Sequence, residues 1–98
     1  MVVKVLIKRV VPEDTAKKMI PLFRQMRMLA STQSGYISGE TLKSLDRPDS
    51  FLVISNWQSP ESWEKWLLSK ERQEIQEKID ALLEGKTEYE MFHYGFPE

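Results

Sequence analysis

The chain has 98 residues, 41% of them hydrophobic and 30% charged, a composition typical of a globular domain rather than of a disordered segment. Its net charge of −1 comes from interleaved acidic and basic residues, which excludes the clustered basic surface that nucleic-acid binding requires. The sequence has no cysteine and one histidine, so disulfides, thiolate catalysis and a multi-histidine metal site within one subunit are excluded.

The amino-terminal segment MVVKVLIKRVV is predicted to be a strand rather than a secretion signal. Lys4, Lys8 and Arg9 interrupt its apolar run, and no small-residue cleavage site follows. No apolar stretch approaches the length of a membrane span. We expect a single domain over residues 1–98, a cytoplasmic location, and neither a membrane nor a nucleic acid as partner.

The first third of the chain predicts a strand followed by a helix. Residues 2–11 carry apolar side chains in both alternation sets of a strand, which ends at Pro12. Apolar residues then recur at steps of three and four, which predicts a helix over residues 13–34. Pro21 is expected to kink or interrupt this helix, and Gly35 is expected to cap its end.

Two strands should occupy the middle of the chain. The second strand is expected over residues 36–45, with a bulge or a close approach at Gly39. Residues 46–50 are turn formers and predict a hairpin connection longer than two residues. Residues 51–57 are rich in β-branched and aromatic side chains, which indicates a third, largely buried strand.

Helical signals dominate the region after the third strand. Ser59 is expected to cap a helix that has Pro60 at its first position. Charged residues interrupt the apolar stripe near Ser69, which predicts either one bent helix or two helices in series. The helical region should end at Gly85, and the last strand is expected over residues 88–96.

The order strand, helix, strand, strand, helix, strand is typical of an α+β domain with a ferredoxin-like βαββαβ arrangement. In such a domain the helices cover one face of an antiparallel sheet. The predicted strands are apolar on both faces, so the uncovered face needs a second covering body. A second copy of the chain is the simplest one. We therefore expect a homodimer through the open face of the sheet, whose sheets pack face to face or curl into a barrel.

The segment SNWQSPESWEKWLLSKERQ, the order of elements and the pair Gly35-Tyr36 at the start of the second strand resemble the antibiotic biosynthesis monooxygenase-like family of dimeric α+β barrels. The likeness covers nearly the whole chain. It implies cofactor-independent oxygenation of a small aromatic or quinone-type substrate in a pocket between helices and sheet, with no metal or flavin. A non-catalytic module that binds or senses a small ligand on the same scaffold is the alternative, because fold does not fix function.

The haem-degrading branch of this family implies a different set of residues. It uses an asparagine of the first strand with a tryptophan and a histidine of the second helix. Trp66 matches the tryptophan, but the histidine position holds Gln76, which cannot act as the usual axial ligand. The first strand has no asparagine. Haem binding is therefore the less favoured alternative, and it requires altered ligation, for example through His93.

The resemblance and the residue chemistry together give three catalytic candidates. Trp66 is expected to form the wall of the pocket, with plain core packing as the alternative. His93 is a candidate general base because imidazole titrates near neutrality, and the alternative is a structural, surface or interfacial position, with Tyr89 and Met91 of the same alternation set suggesting the dimer-facing side. Asn56 precedes the strand-to-helix junction, where its amide can bind a substrate oxygen or tie the turn.

Two further residues, with Trp66, make up the expected substrate-binding set. Tyr36 can donate a hydrogen bond to a phenolate, or it can pack with its hydroxyl at the rim of the core. Arg72 can stabilise an anionic intermediate, or it can be an ordinary solvated arginine of a charged helix. No cofactor-binding or metal-binding residue is expected.

Overall fold

A computed structural model describes residues 1–95, which form a four-stranded antiparallel sheet and three helices. The strands are β1 (Val3–Val10), β2 (Tyr36–Lys43), β3 (Ser50–Trp57) and β4 (Glu88–Phe92), and the helices are α1 (Ala16–Ala30), α2 (Pro60–Leu67) and α3 (Lys70–Asp80). The strand order is β2-β3-β1-β4. The predicted α+β, ferredoxin-like architecture is confirmed.

One face of the sheet, here called the helix-facing side, packs against all three helices. On β1 it carries Val3, Val5 and Ile7, which the β1–β3 register places beside Trp57, Ser55 and Val53. Two buried apolar clusters hold the helices on this side. One contains Val3, Val5, Ile7, Ala30, Trp57, Trp63 and Trp66, and the other contains Val11, Met19, Ile75 and Ile79. Burying each larger side chain contributes about 1.5–3 kcal/mol, so these clusters anchor the helices to the sheet.

The helical region after β3 consists of two helices in series, each with its own serine cap. The Ser59 hydroxyl accepts a hydrogen bond from the backbone N–H of Ser62 at 3.1 Å, with Pro60 at the first position of α2. The Ser69 hydroxyl accepts from the backbone N–H of Arg72 at 3.2 Å and starts α3. Both predicted caps are confirmed, and the alternative of a single bent helix is wrong.

Helix α1 is shorter at its start than the predicted range of 13–34. The chain first forms a turn in which the Thr15 backbone N–H donates to the Pro12 carbonyl at 3.0 Å, so α1 begins at Ala16. Pro21 lies inside α1 without dividing it into two helices. As the sixth residue of α1 it lies beyond the first four positions, so its missing N–H leaves the Lys17 carbonyl without its helical donor.

Gly35 fixes the connection between α1 and β2. The prediction that it caps the end of α1 is wrong. The helix ends five residues earlier, at Ala30. Gly35 has a φ of +89°, a left-handed conformation that favours glycine, and a Cβ at this position would collide with the Ser62 side chain. Its carbonyl accepts from the Gln58 backbone N–H at 2.8 Å. The start of β2 is therefore held against the β3–α2 junction.

The irregularity in β2 lies between Tyr36 and Ser38, where the register with β3 shifts. The predicted bulge at Gly39 is thus displaced toward the start of the strand. The alternative prediction, a close approach at Gly39, is confirmed, because a Cβ there would lie 2.9 Å from the Tyr36 hydroxyl. Glycine at this position leaves room for the tyrosine ring over the sheet.

The other face of the sheet, here called the open face, mixes apolar and charged side chains. β1 contributes Leu6 and Val10 together with Lys4 and Lys8. By their register with β1 and β3, further strand residues lie on this face: Glu40, Leu42, Leu52, Ile54, Glu90 and Phe92. The apolar character of both faces agrees with the sequence analysis. The homodimer through the open face stays a prediction.

The last strand ends at Phe92, four residues earlier than predicted, and Phe96 lies outside the described residues. Within residues 1–95 no helix combines the length and the apolar character needed to cross a bilayer. The single domain over residues 1–98 and the cytoplasmic location stay predictions.

Candidate functional site

A cavity of about 50 Å³ lies between the helix-facing side of the sheet and the three helices. Strands β1 to β3 and helices α1 to α3 all contribute to its lining, and two exposed residues, Arg27 and Thr41, mark its mouth. Glu40 borders the cavity from β2, but the β2–β3 register places its side chain on the open face. At roughly 10–15 Å³ for each water, the volume accommodates about four water molecules. The cavity therefore suits a small ligand with no more than one ring.

Aromatic side chains make up much of the cavity wall. Trp66, only 2% exposed, lines the cavity and belongs to the core cluster, so the structure places it in both of its predicted surroundings. Tyr36 also lines the cavity, with its ring edge-on to Trp57 at 5.3 Å between centroids. Trp57 in turn contacts Trp63 at 5.9 Å. Such pairs contribute about 0.5–1.5 kcal/mol beyond burial, so this wall is rigid.

Arg72 projects from α3 into the cavity lining and is only 3% exposed. Its Nη2 donates to the Tyr89 hydroxyl at 2.7 Å. Its guanidinium carbon lies 5.6 Å from the ring centroid of Trp63 and 5.2 Å from that of Tyr89. Both rings stabilise the cation through their negative faces. The alternative of a solvated Arg72 is wrong, because the side chain is enclosed by aromatic groups.

Arg9, on β1, is a second buried arginine in the cavity wall, and the sequence analysis did not select it. Its Nη2 donates to the Gln76 Oε1 at 3.0 Å, and its guanidinium carbon lies 5.2 Å from the Phe23 centroid. Among the described residues, its Nε is buried without a hydrogen-bond partner. Burial lowers the pKa of Arg9 to about 10 and the repulsion of Arg72 acts in the same direction, so Arg9 stays charged at neutral pH.

The partners of the two guanidinium groups are neutral. Gln76 Oε1 accepts from Arg9 and also lies 3.4 Å from the Arg72 Nη2, while its Nε2 donates to Asp80 at 2.7 Å and to Thr87 at 3.0 Å. The Tyr89 hydroxyl lies 3.3 Å from the same Gln76 oxygen. The residue at the family's haem-ligand position is thus the centre of a hydrogen-bond network. Its amide is committed to protein partners.

Two site residues that were not selected from the sequence, Arg9 and Tyr89, can be identified from the alternation of side chains along their strands. Arg9 follows Val5 and Ile7 in the buried set of β1, although its charge alone suggests the surface. Tyr89 is opposite Ile7 in the β1–β4 register and so lies on the helix-facing side. Gln76 carried no such signal, because polar residues surround it on α3.

Asn56 and His93 lie away from the cavity. Asn56 is on the open face, where its Oδ1 accepts from the Lys4 Nζ at 2.9 Å and its Nδ2 donates to the Ser38 hydroxyl at 3.0 Å. It ties β3 to both neighbouring strands rather than to the turn. His93 follows the end of β4 and is exposed, with its Nδ1 3.2 Å from the Tyr94 carbonyl.

The surface alternative for His93 agrees with its exposure. The dimer-facing alternative has no support from alternation, because Tyr89 and Met91, which share the alternation set of His93, face the helices rather than the open side of the sheet. Of the five candidate residues, the structure gathers Trp66, Tyr36 and Arg72 around the cavity. Throughout residues 1–95, no group of three or more histidine, aspartate or glutamate side chains is placed to hold a metal ion.

Comparisons with known proteins agree with the fold. A sequence model of the family described as antibiotic biosynthesis monooxygenase matches residues 1–78. A conserved protein from Methanosarcina mazei Go1 is 17% identical, with a TM-score of 0.88 over 94% of this chain and 91% of that chain. SnoaB, a cofactor-independent oxygenase from Streptomyces nogalater, is 17% identical, with a TM-score of 0.85 over 98% of this chain and 95% of that chain.

A third solved structure, Rv0793 from Mycobacterium tuberculosis, is 13% identical and has a TM-score of 0.87 over 99% of this chain and 98% of that chain. At these identities the structural likeness shows the shared fold alone. The search of curated proteins found no match.

Proposed function

Because the chain belongs to the antibiotic biosynthesis monooxygenase family, we propose that it is a cofactor-independent monooxygenase-like enzyme acting on a small aromatic or quinone-type substrate. The observation that carries this proposal is the cavity between sheet and helices. It is lined by Trp66 and Tyr36, which suit an aromatic ring, and by Arg72, which suits negative charge. The sequence analysis expected these three residues to bind the substrate.

In the proposed reaction the substrate itself supplies the electrons. For a hydroquinone the balance is hydroquinone plus O₂ giving hydroxybenzoquinone plus water. One oxygen atom forms a new bond to a ring carbon, the O–O bond and one ring C–H bond break, and the second oxygen atom leaves as water. The ring is oxidised to the quinone level while O₂ is reduced.

The cavity offers what such a reaction requires of the protein. An ionised hydroquinone is electron-rich enough to react with O₂, and a site that keeps water away and faces the developing charge with positive groups stabilises both this anion and the transition state. Trp66 and Trp63 form a dry wall, and the Arg72 guanidinium supplies positive charge held in place by Tyr89. Trp66 therefore has a positioning role in this proposal, and Arg72 an electrostatic one.

The test is incorporation of labelled oxygen from ¹⁸O₂ into the product of methylhydroquinone, measured by mass spectrometry against an enzyme-free blank. We expect labelled hydroxyquinone to form faster than in the blank. Arg72→Met should lower the rate by about 100–1,000-fold, the range for removal of one electrostatic group at a developing charge. Arg47→Met, the same change at an exposed site, is the control and should leave the rate unchanged. Formation at the blank rate contradicts the proposal.

A non-catalytic ligand-binding module is the second candidate, and one observation favours it. Among the described residues that line the cavity, Glu40 is the one carboxylate, and the β2–β3 register places its side chain on the open face. His93 is not in the lining. A general base is therefore not built into the enclosed part of the site. Ligand binding without oxygen incorporation supports the module over the enzyme.

We also propose a homodimer through the open face. In support, Phe92 and Leu42 are each 43% exposed there, and neighbouring Leu6, Leu52 and Ile54 extend the apolar area. An exposed apolar area of this kind is best covered by a second copy through a two-fold axis. Sedimentation equilibrium should give twice the chain mass of 11.5 kDa at micromolar concentration. A stable 11.5 kDa species contradicts the dimer.

A further inference from the structure

We infer that the cavity is an anion site, which binds a small aromatic oxyanion between the guanidinium groups of Arg9 and Arg72. The inference rests on the proposed function in that the anion is the ionised form of the substrate. It adds the charge state in which the ligand enters the site and assigns a binding role to Arg9. The ligand is expected to be a single aromatic ring that carries either a carboxylate group or a phenolate oxygen.

The charge of the site is the first reason. Arg9 is 4% exposed and Arg72 is 3% exposed, and both line the cavity. Their hydrogen-bond acceptors are the Gln76 amide and the Tyr89 hydroxyl, which carry no charge. Buried cations are ordinarily paired with an anion, because an unpaired one loses its hydration without compensation. Two such cations at one cavity leave a place for negative charge.

Within residues 1–95, no carboxylate of the protein occupies that place. Asp80 acts on Arg9 from a distance, and its carboxylate accepts the Gln76 Nε2 instead. Glu40 borders the cavity, but the β2–β3 register places its side chain on the open face of the sheet. The charge of the two guanidinium groups is therefore available to a ligand.

An unused donor is the second and independent reason. The Arg9 Nε is buried and, within residues 1–95, has no hydrogen-bond partner. A buried donor left unsatisfied costs about 1–3 kcal/mol, more when it is charged, which makes such a group rare in folded proteins. A planar oxyanion fits this donor, because guanidinium groups bind carboxylates through parallel N–H bonds.

The walls and the volume define the rest of the ligand. Phe23, Trp63 and Trp66 face a ring, and about 50 Å³ limits an enclosed ligand to one ring whose substituents point to the mouth. A substrate that arrives already ionised also needs no general base in the cavity. This agrees with the absence of histidine from the described lining.

The test compares three probes by isothermal titration calorimetry at fixed ionic strength: benzoate, 4-nitrophenolate at a pH where it is ionised, and benzamide. Benzamide has the shape of benzoate without its charge. We expect an anion to bind at least about tenfold more tightly than benzamide, since a charge-assisted hydrogen bond contributes about 1.5–3 kcal/mol. Tighter binding of benzoate indicates a carboxylate ligand, and tighter binding of 4-nitrophenolate indicates a phenolate ligand.

Variants assign the preference to the two arginines. Arg9→Met and Arg72→Met should each reduce the preference for the anion by about tenfold, and Arg47→Met should not. Protection of the wild-type protein against heat by benzoate but not by benzamide provides a measurement that depends on no variant. Equal affinity for benzoate and benzamide, failure of both anions to bind, or an anion preference that survives both substitutions overturns the inference.

The outcome separates the inference from the proposed function. Anion binding without oxygen incorporation supports the anion site and contradicts the proposed monooxygenase function. Oxygen incorporation with equal affinity for charged and neutral probes contradicts the anion site and leaves the enzyme standing.

Discussion

Replacing Arg9 with methionine is expected to stabilise the ligand-free protein. Burial lowers the pKa of Arg9 well below its ordinary value, to about 10, which at 1.36 kcal/mol for each pKa unit corresponds to a cost of about 3 kcal/mol for keeping the charge. Methionine is unbranched, of similar length and apolar, so it fills the same space against Phe23.

Two losses offset part of that gain. The cation contact with Phe23 contributes about 0.5–2 kcal/mol, and the hydrogen bond to Gln76 contributes a similar amount. The Gln76 oxygen keeps two donors, the Tyr89 hydroxyl at 3.3 Å and the Arg72 Nη2 at 3.4 Å, so it is not left unsatisfied. We therefore expect a net increase in the free energy of unfolding of about 1 kcal/mol, and at most about 3 kcal/mol.

The pH dependence has a definite sign. The folded pKa of Arg9 is the lower one, so the unfolded chain binds more protons between pH 10 and 12.5. The cost of the buried charge is fully present below pH 10 and is relieved as the pH rises toward 12.5. The advantage of Arg9→Met should therefore be constant at neutral pH and shrink across that window.

Urea unfolding followed by tryptophan fluorescence measures the effect, because Trp57, Trp63 and Trp66 are all buried. The protein concentration is held fixed, since association shifts apparent stability. Arg9→Lys keeps the charge and should show no gain, and Lys17→Met, at an exposed position of α1 away from the open face, should stay within about 0.5 kcal/mol. The reasoning is refuted if Arg9→Met has a lower free energy of unfolding than the wild type while the slope of that free energy against urea concentration is unchanged.

Three further predictions concern the frame of the site. Gly35→Ala should lower the free energy of unfolding by about 2 kcal/mol or more, because it combines a φ of +89° with a collision against α2. Gly85→Ala, at a φ of +91° in open space, is the control and should cost only about 1 kcal/mol in the same urea experiment. Equal costs in the two variants contradict the close approach of Gly35 to α2. Ser59→Ala should cost about 1 kcal/mol through loss of the α2 cap, measured by thermal unfolding, and a change below a few tenths of a kcal/mol contradicts a stabilising cap. Asn56→Ala and His93→Ala should leave the affinity for benzoate unchanged in calorimetry, because both residues lie away from the cavity; a loss in either variant contradicts this placement.

The order of elements and both serine caps were predictable because they depend on local chemistry. The caps at Ser59 and Ser69 each need only an oxygen placed before a helix and an N–H three residues later. Helix α1 was harder to delimit, because the turn that delays its start and the turn that follows its end are stabilised by contacts outside the helix. The close approach of Gly35 to Ser62 joins residues far apart in sequence.

The site was predictable only in part. Trp66, Tyr36 and Arg72 were identified from the resemblance to the family and from the charge of Arg72. Asn56 was assigned by its nearness to the strand-to-helix junction, although it alternates with buried Ser55 and Trp57 and so faces away from the helices. Arg9 was passed over for the opposite reason, since its charge suggests the surface and its alternation places it inside.

The most direct test of the account is a crystal structure of the protein soaked with benzoate. The account predicts the ring against Trp66 and the carboxylate within about 2.7–3.2 Å of the Arg9 Nε or of the Arg72 guanidinium. Benzoate bound only on the open face or at the protein surface, with side chains filling the space between Arg9 and Arg72, would contradict the central claim that this cavity is the ligand site.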